Sequence, residues 1–311
     1  MIIYSPSYLI NDPQLYWGSV TIEGRNLAYY SRQLLTLGLE VQERIFSLKV
    51  LVAGCGALGS TLVEELARLG VGDITVVDPD LVEESNLHRT HLFTERDVGR
   101  PKAEVCSERA REINPDVRVT PVLDVVDNSN AEELIKGKDF VFDALDNVNS
   151  RLILNDACVK EGVPLIYGGV SGEYGSAMIV VPKATPCLSC FMQPSEGEDT
   201  CETVGTTPLT VTLVATVQAQ LMLEALRGQV REGLIYLDSR RLSLDNVKIL
   251  RNPSCEACSR EEFMYLKGLR IRCGIVRTDE SPPPGSPKPF VRRGKEGLLI
   301  CYDKCFKKVG R

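Results

Sequence analysis

The chain is poor in histidine and lacks several segments that would mark a particular class of protein. It has only two histidines, His88 and His91, and neither lies in a recognisable nucleophile motif, so a Ser–His or Cys–His mechanism is not indicated. The sequence does not open with a basic segment and an apolar core, which argues against a secretory signal. No G-x-x-x-x-G-K-[ST] motif occurs, so a triphosphate cannot be bound in the P-loop manner.

The chain also lacks a positive charge excess and a clear membrane span. It carries 36 Lys and Arg against 42 Asp and Glu, a net charge of −6, which argues against nucleic acid or an anionic membrane as the main partner. The longest weakly polar run, residues 208–223, contains threonines and glutamines and is too short and too polar to predict a bilayer span. These features predict a cytoplasmic globular protein.

Cysteine, by contrast, is abundant, with 11 residues. In an intracellular chain this content indicates metal or thiol chemistry and not a disulfide framework. Two C-x-x-C pairs, Cys187 with Cys190 and Cys255 with Cys258, can each place two thiolates on one turn. Together they predict a tetrahedral, structural zinc site without an open position. The alternative is two unrelated pairs of buried or redox-active thiols.

A G-x-G-x-x-G motif follows an apolar strand and precedes a helical pattern. Gly54 permits a tight turn, Gly56 lets the backbone approach a phosphate, and Gly59 lets helix and strand pack closely. The N-terminus of the helix then offers unpaired N–H groups to an anion. The next strand ends at Asp78, an acidic residue placed to bind a ribose. The combination indicates a nucleotide-binding site, but does not say which nucleotide.

Strands and helices alternate from residue 49 onward, which predicts a Rossmann-like, doubly wound, mostly parallel sheet in the α/β class. The predicted strands are 49–53, 73–77, 117–122, 139–143 and 164–168, and the predicted helices lie near 57–70, 101–113, 130–136 and 148–161. A strand at 176–181 is expected to pair antiparallel with its predecessor. A helix of roughly twenty residues should begin near 208, and a hairpin at 234–249 should complete a C-terminal antiparallel extension.

Charged residues beyond Asp78 favour a triphosphate as the bound nucleotide. Arg89 and Lys102 would each be ordinary surface charges on their own, but beside a glycine loop they are interpreted as phosphate ligands. Asp146 follows a predicted strand at the carboxyl edge of the sheet, where hard oxygen donors suit Mg²⁺. An N-cap for the next helix is the alternative role at Asn147.

The order of these motifs resembles the MoeB/ThiF-type adenylyltransferases, relatives of the ubiquitin-activating enzymes. The motifs that carry the resemblance, in chain order, are Y-S-R-Q at 30–33, G-C-G-A-L-G at 54–59, D-x-D at 78–80, S-N-L-x-R at 85–89, V-G-x-P-K at 98–102, D-x-x-D-N at 143–147 and the two C-x-x-C pairs. The resemblance predicts an N-terminal extension at 1–24, an adenylyltransferase domain at 25–265 and a C-terminal tail of unknown role at 266–311.

The resemblance implies a role for each matching residue. Asp78 would bind the ribose of ATP. Asn86, Arg89 and Lys102 would contact the phosphates, and Asp146 would bind Mg²⁺. The implied reaction is attack on the α-phosphate of ATP by the C-terminal carboxylate of a small ubiquitin-like sulfur carrier ending in Gly-Gly. Its products are an acyl-adenylate and pyrophosphate, in a pathway to molybdopterin, thiamine or thiolated tRNA.

Two further residues carry implied roles. Arg32 would reach across a homodimer into the site of the partner. Cys201 belongs to a Thr-Cys pair that some members use for a thioester, a persulfide or a mixed disulfide, whereas others function by adenylation alone, and both interpretations stay open. No sulfurtransferase domain is recognised, so sulfur would come from another protein. Two positions depart from the pattern of many relatives: Tyr29 stands in place of an arginine, and Thr90 in place of a glutamine.

Three other functions compete with this interpretation. An NAD-dependent oxidoreductase is favoured by the glycine loop, but Arg89, Lys102 and Asp146 together oppose it. A dehydratase that adenylates a modified tRNA is disfavoured by the acidic charge and by the cysteine pairs. A non-catalytic scaffold subunit would be expected to have lost some of the charged residues, and none is lost.

Overall fold

One eight-stranded sheet organises the chain. The structure is a computed structural model that describes residues 21–22, 24–192 and 204–270, and the strands at 276–277, 290–294 and 297–301. Cys201 and most of the predicted N-terminal extension lie outside the described residues. The first described elements are a two-stranded hairpin and two short helices: β1 (Thr21–Ile22), β2 (Arg25–Asn26), α1 (Ser31–Leu37) and α2 (Leu39–Ser47).

Five parallel strands form the larger part of the sheet. They are β3 (Lys49–Ala53), β4 (Asp73–Val77), β5 (Arg118–Val122), β6 (Phe140–Asp143) and β7 (Leu165–Ser171). Three antiparallel strands extend it: β8 (Tyr174–Val180), β9 (Leu234–Asp238) and β10 (Ser243–Val247). The spatial order is β10-β9-β8-β7-β6-β3-β4-β5. The predicted mostly parallel sheet with an antiparallel extension is confirmed.

Helices cover both faces of the sheet. They are α3 (Ala57–Leu69), α4 (Lys102–Ile113), α5 (Ala131–Ile135), α6 (Val148–Glu161) and α7 (Pro208–Leu226). Alternate residues of a strand enter different cores, because side chains point to opposite faces in turn. Val50 and Val52 of β3 join the core under α3, α4 and α7, whereas Leu51 and Ala53 join the core under α5 and α6. This two-sided burial explains why the central strands are continuous apolar runs.

Helix α7 corrects one expectation from the sequence. It is 19 residues long, and by length and composition alone it is apolar enough to cross a membrane, whereas the run at 208–223 had been judged too short and too polar. More than half of its most apolar window is buried inside the protein, because α7 packs against α3, β7 and β8. An interior helix is apolar around most of its circumference for the same reason as a membrane helix.

The chain after the hairpin β9–β10 stays packed against the main body up to at least Leu266, which is buried in the core under α6. Beyond it the structure describes a separate three-stranded sheet made of β11 (Val276–Arg277), β12 (Phe290–Gly294) and β13 (Gly297–Cys301), with β13 in the centre. The domain boundaries at 24/25 and 265/266 stay predictions.

A buried carboxylate of α6 attaches the segment around Leu266 to that helix. Asp156 is 1% exposed, and its Oδ2 accepts hydrogen bonds from the backbone N–H groups of Tyr265 at 3.0 Å and Leu266 at 3.3 Å. Burial raises the pKa of Asp156 to about 6, although the two backbone hydrogen bonds limit the rise. The folded protein therefore binds a proton at Asp156 more tightly than the unfolded chain does.

This pKa shift predicts a pH-dependent effect of Asp156→Asn. Because the folded pKa lies above the usual 3.8, the contribution of Asp156 to the free energy of unfolding falls as pH rises from about 4 to about 6. An asparagine stays neutral and can still accept both N–H groups. Denaturant unfolding should measure the free energy of unfolding of both proteins at several pH values. The difference between variant and wild type should shift in favour of the variant by about 3 kcal/mol across this window and stay constant at higher pH. Parallel stability curves would contradict the assignment.

Candidate functional site

The carboxyl ends of β3, β4 and β6 meet at one edge of the sheet. There β3 lies between β4, the next strand in the sequence, and β6, a later strand. Such a point leaves a crevice between the loops that follow the strands. Gly54, which directly follows β3, has φ +93°. A Cβ at this position would stand 2.6 Å from the carbonyl oxygen of Ala144, which follows β6. A Cβ on Gly59 would stand 1.9 Å from the carbonyl oxygen of Gly54. The crevice is therefore closed tightly at its base by backbone.

Gly56, the middle glycine of the motif, faces open space. A Cβ on Gly56 would have no heavy atom within 4 Å, and Gly56 is the N-cap of α3 without a capping side chain. The first N–H groups of an α-helix have no partner within the helix, and the helix dipole attracts negative charge to this end. The loop thus presents backbone to the crevice where the sequence predicted a phosphate.

Asp78 follows β4 and supports the glycine loop. It is 4% exposed, its Oδ2 accepts a hydrogen bond from the N–H of Cys55 at 2.6 Å, and its Oδ1 accepts one from the N–H of Asp80 at 2.7 Å. Burial raises the pKa of Asp78 to about 6, and the neighbouring Lys102 ammonium limits the rise. Asp78 therefore braces the loop in addition to the predicted ribose role, which stays a prediction.

Lys102, the first residue of α4, lies in the same region. It is 9% exposed, and its Nζ forms an ion pair with Oδ2 of Asp80 at 3.0 Å. Burial by itself would lower the pKa of Lys102, but the carboxylates of Asp78 and Asp80 outweigh this effect and raise the pKa. Lys102 is thus a buried cation that the neighbouring carboxylates keep charged, which suits the predicted role as a phosphate ligand.

The two other predicted phosphate ligands lie in a turn between β4 and α4. Asn86 is buried, and its Oδ1 accepts the N–H of Glu83, so its amide also shapes the short 3-10 helix Glu84–Asn86. Arg89 is half-buried, and its Nη1 donates to the carbonyl of Ser85 at 2.6 Å. Both side chains have backbone partners, and their phosphate roles stay predictions.

Asp146 lies on the loop that leads from β6 into α6. Its side chain is exposed, in contrast to Asp143, which is fully buried at the end of β6. The carboxylate of Asp146 is close enough to influence the charge of Lys102. The next residue, Asn147, caps α6, since its Oδ1 accepts the N–H of Ser150 at 2.8 Å. The N-cap alternative is therefore confirmed for Asn147, and Asp146 remains available for a cation.

Arg32 is exposed on α1, and the residues beside it anchor that helix. Tyr30 is 1% exposed and its hydroxyl accepts a hydrogen bond from Asn114 at 2.8 Å. Gln33 donates to Gln42 at 2.7 Å and to the carbonyl of Leu69 at 2.9 Å. The Y-S-R-Q motif thus holds α1 against the main body while Arg32 points outward. Its predicted reach into a partner subunit stays a prediction.

The four cysteines of the two C-x-x-C pairs come together. Their sulfurs lie within 4.8 Å of one another, and all four thiols are free. Hydrogen bonds between the sulfurs, first those with Cys187, lower the pKa of Cys190 to about 6 and hold the pKa of Cys258 well below its ordinary value, whereas the same network raises the pKa values of Cys187 and Cys255. Four converging sulfurs could hold a metal ion, and four-sulfur sites suit zinc.

One cysteine pair was not predicted. Cys55, inside the glycine loop, and Cys106, on α4, are joined as a disulfide between two fully buried residues. The cysteine content points to metal or thiol chemistry and not to a disulfide framework, and no local pattern connects two residues separated by 51 positions. Only the packing of α4 beside the glycine loop reveals the pair.

Two further residues at the crevice were also missed. Arg151 of α6 is buried and forms an ion pair with Asp143 at 3.2 Å. Gln218 of α7 is fully buried and its Nε2 donates to the carbonyls of Asp143 and Ile166. Arg151 follows the D-x-x-D-N motif at one helical turn from Asn147, a spacing that could have identified it. Gln218 had no comparable signal within an apolar helix.

The chain is similar to a known protein family and to several known proteins. The ThiF family model matches residues 30–257. The SAMP-activating enzyme E1 of Haloferax volcanii is 37% identical over 267 residues, which are 81% of this chain and 98% of that protein. The sulfur carrier protein ThiS adenylyltransferase of Bacillus subtilis is 39% identical over 245 residues, 76% of this chain and 73% of that protein.

Solved structures give the same fold. A crystal structure of E. coli MccB with MccA-N7isoASN has a TM-score of 0.65 and 24% sequence identity, and covers 76% of this chain and 75% of that one. At this identity the likeness speaks for the fold alone.

A third relative is similar in sequence. The molybdopterin-synthase adenylyltransferase of Salmonella typhimurium is 33% identical over 244 residues, 76% of this chain and 98% of that protein.

Two glycine variants separate the structural role of the loop from a ligand-binding role. Gly59→Ala should lower the free energy of unfolding by about 3 kcal/mol, because the new methyl group must displace the Gly54 carbonyl. Gly56→Ala should cost about 1 kcal/mol or less, because its Cβ meets no atom, yet it should weaken ATP binding by crowding the phosphates. Denaturant unfolding and calorimetric ATP titration measure the two effects. Equal stability losses in both variants would contradict this division.

Proposed function

Given that the chain belongs to the ThiF family, whose named relatives are adenylyltransferases, we propose that it uses ATP to adenylate the C-terminal glycine of a small ubiquitin-like sulfur-carrier protein. The observation that carries the proposal is the convergence of the glycine loop, Asp78 and the buried Lys102 at one edge of the sheet. The match to the ThiF family and the names of the relatives argue against the oxidoreductase alternative, and those names favour a sulfur carrier over a modified tRNA.

The reaction needs little acid–base chemistry from the protein. A C-terminal carboxylate is already ionised near neutral pH, so it can attack the α-phosphorus without a general base. A new carboxyl-oxygen–phosphorus bond forms, the bond between the α-phosphorus and the bridging oxygen breaks, and pyrophosphate leaves with the electron pair. This requirement agrees with a site that is rich in charged ligands and has no histidine among its predicted residues. Catalysis then consists of positioning and charge stabilisation.

Each predicted side chain has a task in this scheme. The N–H groups at the start of α3 and the open backbone at Gly56 would receive phosphate oxygens. Lys102 would exchange part of its ion pair with Asp80 for the phosphates and stabilise the charge that develops on the leaving pyrophosphate. Arg89 and Asn86 would add donors from the turn after β4. Asp78 would accept from the ribose hydroxyls.

The donor set of the crevice fits a magnesium ion bound together with ATP. Asp146 offers an exposed carboxylate beside Lys102, and hard oxygen ligands of this kind, with phosphate oxygens, are what Mg²⁺ prefers. A bound Mg²⁺ neutralises phosphate charge and so makes the α-phosphorus easier to attack. Asp146 would hold this ion.

The Cys187, Cys190, Cys255 and Cys258 cluster would bind a structural Zn²⁺. Four thiolates complete a tetrahedral shell, so no position stays open for a substrate. The ion would fasten the loop after β8 to the segment after β10, which contribute one C-x-x-C pair each. Metal binding to such a site contributes directly to folding.

The remaining proposals concern partners and compartment. We infer a homodimer in which Arg32 enters the partner's site, since the motif around it displays the guanidinium outward on an anchored helix. We also propose a sulfurtransferase as a partner. Relatives named adenylyltransferase and sulfurtransferase combine both activities in their names. A cytoplasmic location and a covalent role of Cys201 complete the hypothesis.

Pyrophosphate exchange tests the proposed function. The wild-type protein with ATP, Mg²⁺, labelled pyrophosphate and a carrier ending in Gly-Gly should incorporate label into ATP. Lys102→Ala and Asp146→Ala should each lower the exchange rate by about 10²–10³-fold, because each removes a charge that acts on the phosphates. A wild-type protein that exchanges with no carrier from its own organism would remove the proposal.

Matched controls are available at the opposite edge of the sheet. Lys138 is half-buried with its Nζ 2.6 Å from Oγ1 of Thr75, and Asp139 is exposed and accepts the N–H of Lys49. Lys138→Ala and Asp139→Ala should keep exchange rates within about two-fold of the wild type, since neither residue lies at the crevice. Equal losses in the control variants would show that general destabilisation, and not the site, explains the effect.

Metal analysis tests the zinc proposal separately. Purified protein should contain about one zinc per chain, and Cys187→Ser should lose it together with several kcal/mol of stability. Cys158→Ala is the matched control, because Cys158 is another buried free thiol outside the cluster. It should keep the metal. A zinc-free wild type of equal stability would refute the metal site.

A further inference from the structure

Arg151 is the most highly connected buried charge at the crevice. Its residue exposure is 8%, and it lies in the first turns of α6. Its Nη1 donates to the carbonyl of Gly168 on β7 at 2.7 Å and to Oδ2 of Asp143 on β6 at 3.2 Å. Its Nη2 donates to the carbonyl of Leu145. The guanidinium carbon lies 4.9 Å from the centre of the Tyr167 ring.

Arg151 holds the backbone before Asp146, and a helix cap holds the residue after it. The N–H of Leu145 donates to Oδ1 of Asp143 at 3.0 Å, and its carbonyl accepts from Arg151. After Asp146, Asn147 is fixed as the N-cap of α6. Asp146 is therefore an exposed residue between Leu145, whose N–H and carbonyl are both hydrogen-bonded, and Asn147, whose Oδ1 caps α6 and whose Nδ2 lies 3.5 Å from Oδ1 of Asp146. Its carboxylate is presented from a fixed backbone.

Neutralising the buried Asp143 does not by itself explain this arrangement. A single ion pair would satisfy that carboxylate, whereas the guanidinium also reaches two carbonyls on different segments. A planar guanidinium can do so because its five N–H donors are arranged in a fixed fork, and a lysine ammonium cannot. Burying a guanidinium is costly unless such hydrogen bonds compensate, so the contacts to Leu145 and Gly168 are part of what makes the position tenable.

We propose that Arg151 is a positioning residue that acts through Asp146: it clamps the loop between β6 and α6 so that the Asp146 carboxylate meets the cation bound with the nucleotide. This inference rests on the proposed function, because it assigns Asp146 to Mg²⁺. It adds a residue that touches neither the nucleotide nor the ion. Residues that orient a metal ligand typically change metal affinity by about 10-fold or more when they are removed.

Binding of Mn²⁺ tests the proposal without catalysis. Mn²⁺ replaces Mg²⁺, and its electron paramagnetic resonance signal reports free ion in the presence of protein and ATP, with no carrier added. Arg151→Met keeps an unbranched, largely apolar stem and removes all donors, and should weaken Mn²⁺ binding by about 10-fold. Arg151→Lys restores the charge, but not the fork, and should recover only part of this loss.

A double-mutant cycle tests whether Arg151 acts through Asp146. Asp146→Ala should weaken Mn²⁺ binding on its own. Adding Arg151→Met to Asp146→Ala should then change the affinity less than two-fold, because the ligand that Arg151 positions is gone. Full additivity of the two losses would overturn the proposal.

Arg25 offers a matched control for loss of a stacked guanidinium. It donates to the carbonyls of Gly70 and Phe46 and lies 4.8 Å from the centre of the Phe46 ring, so its contacts are of the same kind but away from the crevice. Arg25→Met should lower thermal stability as Arg151→Met does, and should leave Mn²⁺ affinity unchanged. Wild-type Mn²⁺ affinity in a folded Arg151→Met or Arg151→Lys protein would refute the positioning role.

The outcome for Arg151 can be told apart from the outcome for the proposed function. A wild-type protein that binds Mn²⁺ with ATP but exchanges no pyrophosphate would remove the carrier reaction and leave the positioning role standing if the variants behave as expected. Should the wild type bind no Mn²⁺ in the presence of ATP, both proposals fail together. Should Arg151→Met not fold, the Arg151→Lys variant and its combination with Asp146→Ala decide the question.

Discussion

The backbone contact between Gly54 and Gly59 determines where every other part of the crevice stands. Because no side chain separates β3 from α3, the N-terminus of the helix lies directly at the carboxyl edge of the sheet. The same edge receives the loops after β4 and β6, since parallel strands all end there. Asp78, after β4, then contacts the glycine loop, Lys102 pairs with Asp80 on the same side, and the loop that carries Asp146 follows β6 on the other side of β3. A local steric condition on two glycines thus places residues that are far apart in the sequence.

The charge balance of the crevice explains why a nucleotide would need a divalent ion there. Asp78 and Asp80 contribute negative charge, Lys102 already pairs with Asp80, and Asp143 is paired with Arg151. A triphosphate brought alone into such surroundings would add like charge at close range, which costs energy in a partly buried site. Mg²⁺ bound by Asp146 would reverse this balance. In the proposed function, the acidic residues would make metal and nucleotide binding interdependent, and the position of Asp146 would then be important.

The sequence predicted the elements well wherever a local pattern determines them. The strands β3 to β6 and the helices α3, α4 and α6 appear within one or two residues of expectation, because apolar periodicity and the glycines are local signals, whereas β7 continues to Ser171, beyond its predicted end at 168. The cysteine cluster was predictable for the same reason, since each C-x-x-C pair is a local unit. The Cys55–Cys106 disulfide and the contact of Asp156 with Leu266 were not, because each joins distant segments through tertiary packing. Phosphate, ribose and Mg²⁺ roles came from the resemblance and stay predictions.

Helix α6 connects the cysteine cluster with the crevice. Asn147, Arg151 and Asn155 recur at intervals of four residues and so lie along one stripe of the helix. The first two fix the loop that carries Asp146, and Asn155 accepts the N–H of Leu188 at 2.9 Å and donates to Ser189 at 3.2 Å. Leu188 and Ser189 lie between Cys187 and Cys190. A metal ion in the cluster would therefore hold the segment on which α6 rests, and this mechanical support would reach the crevice without any contact between the metal and the nucleotide.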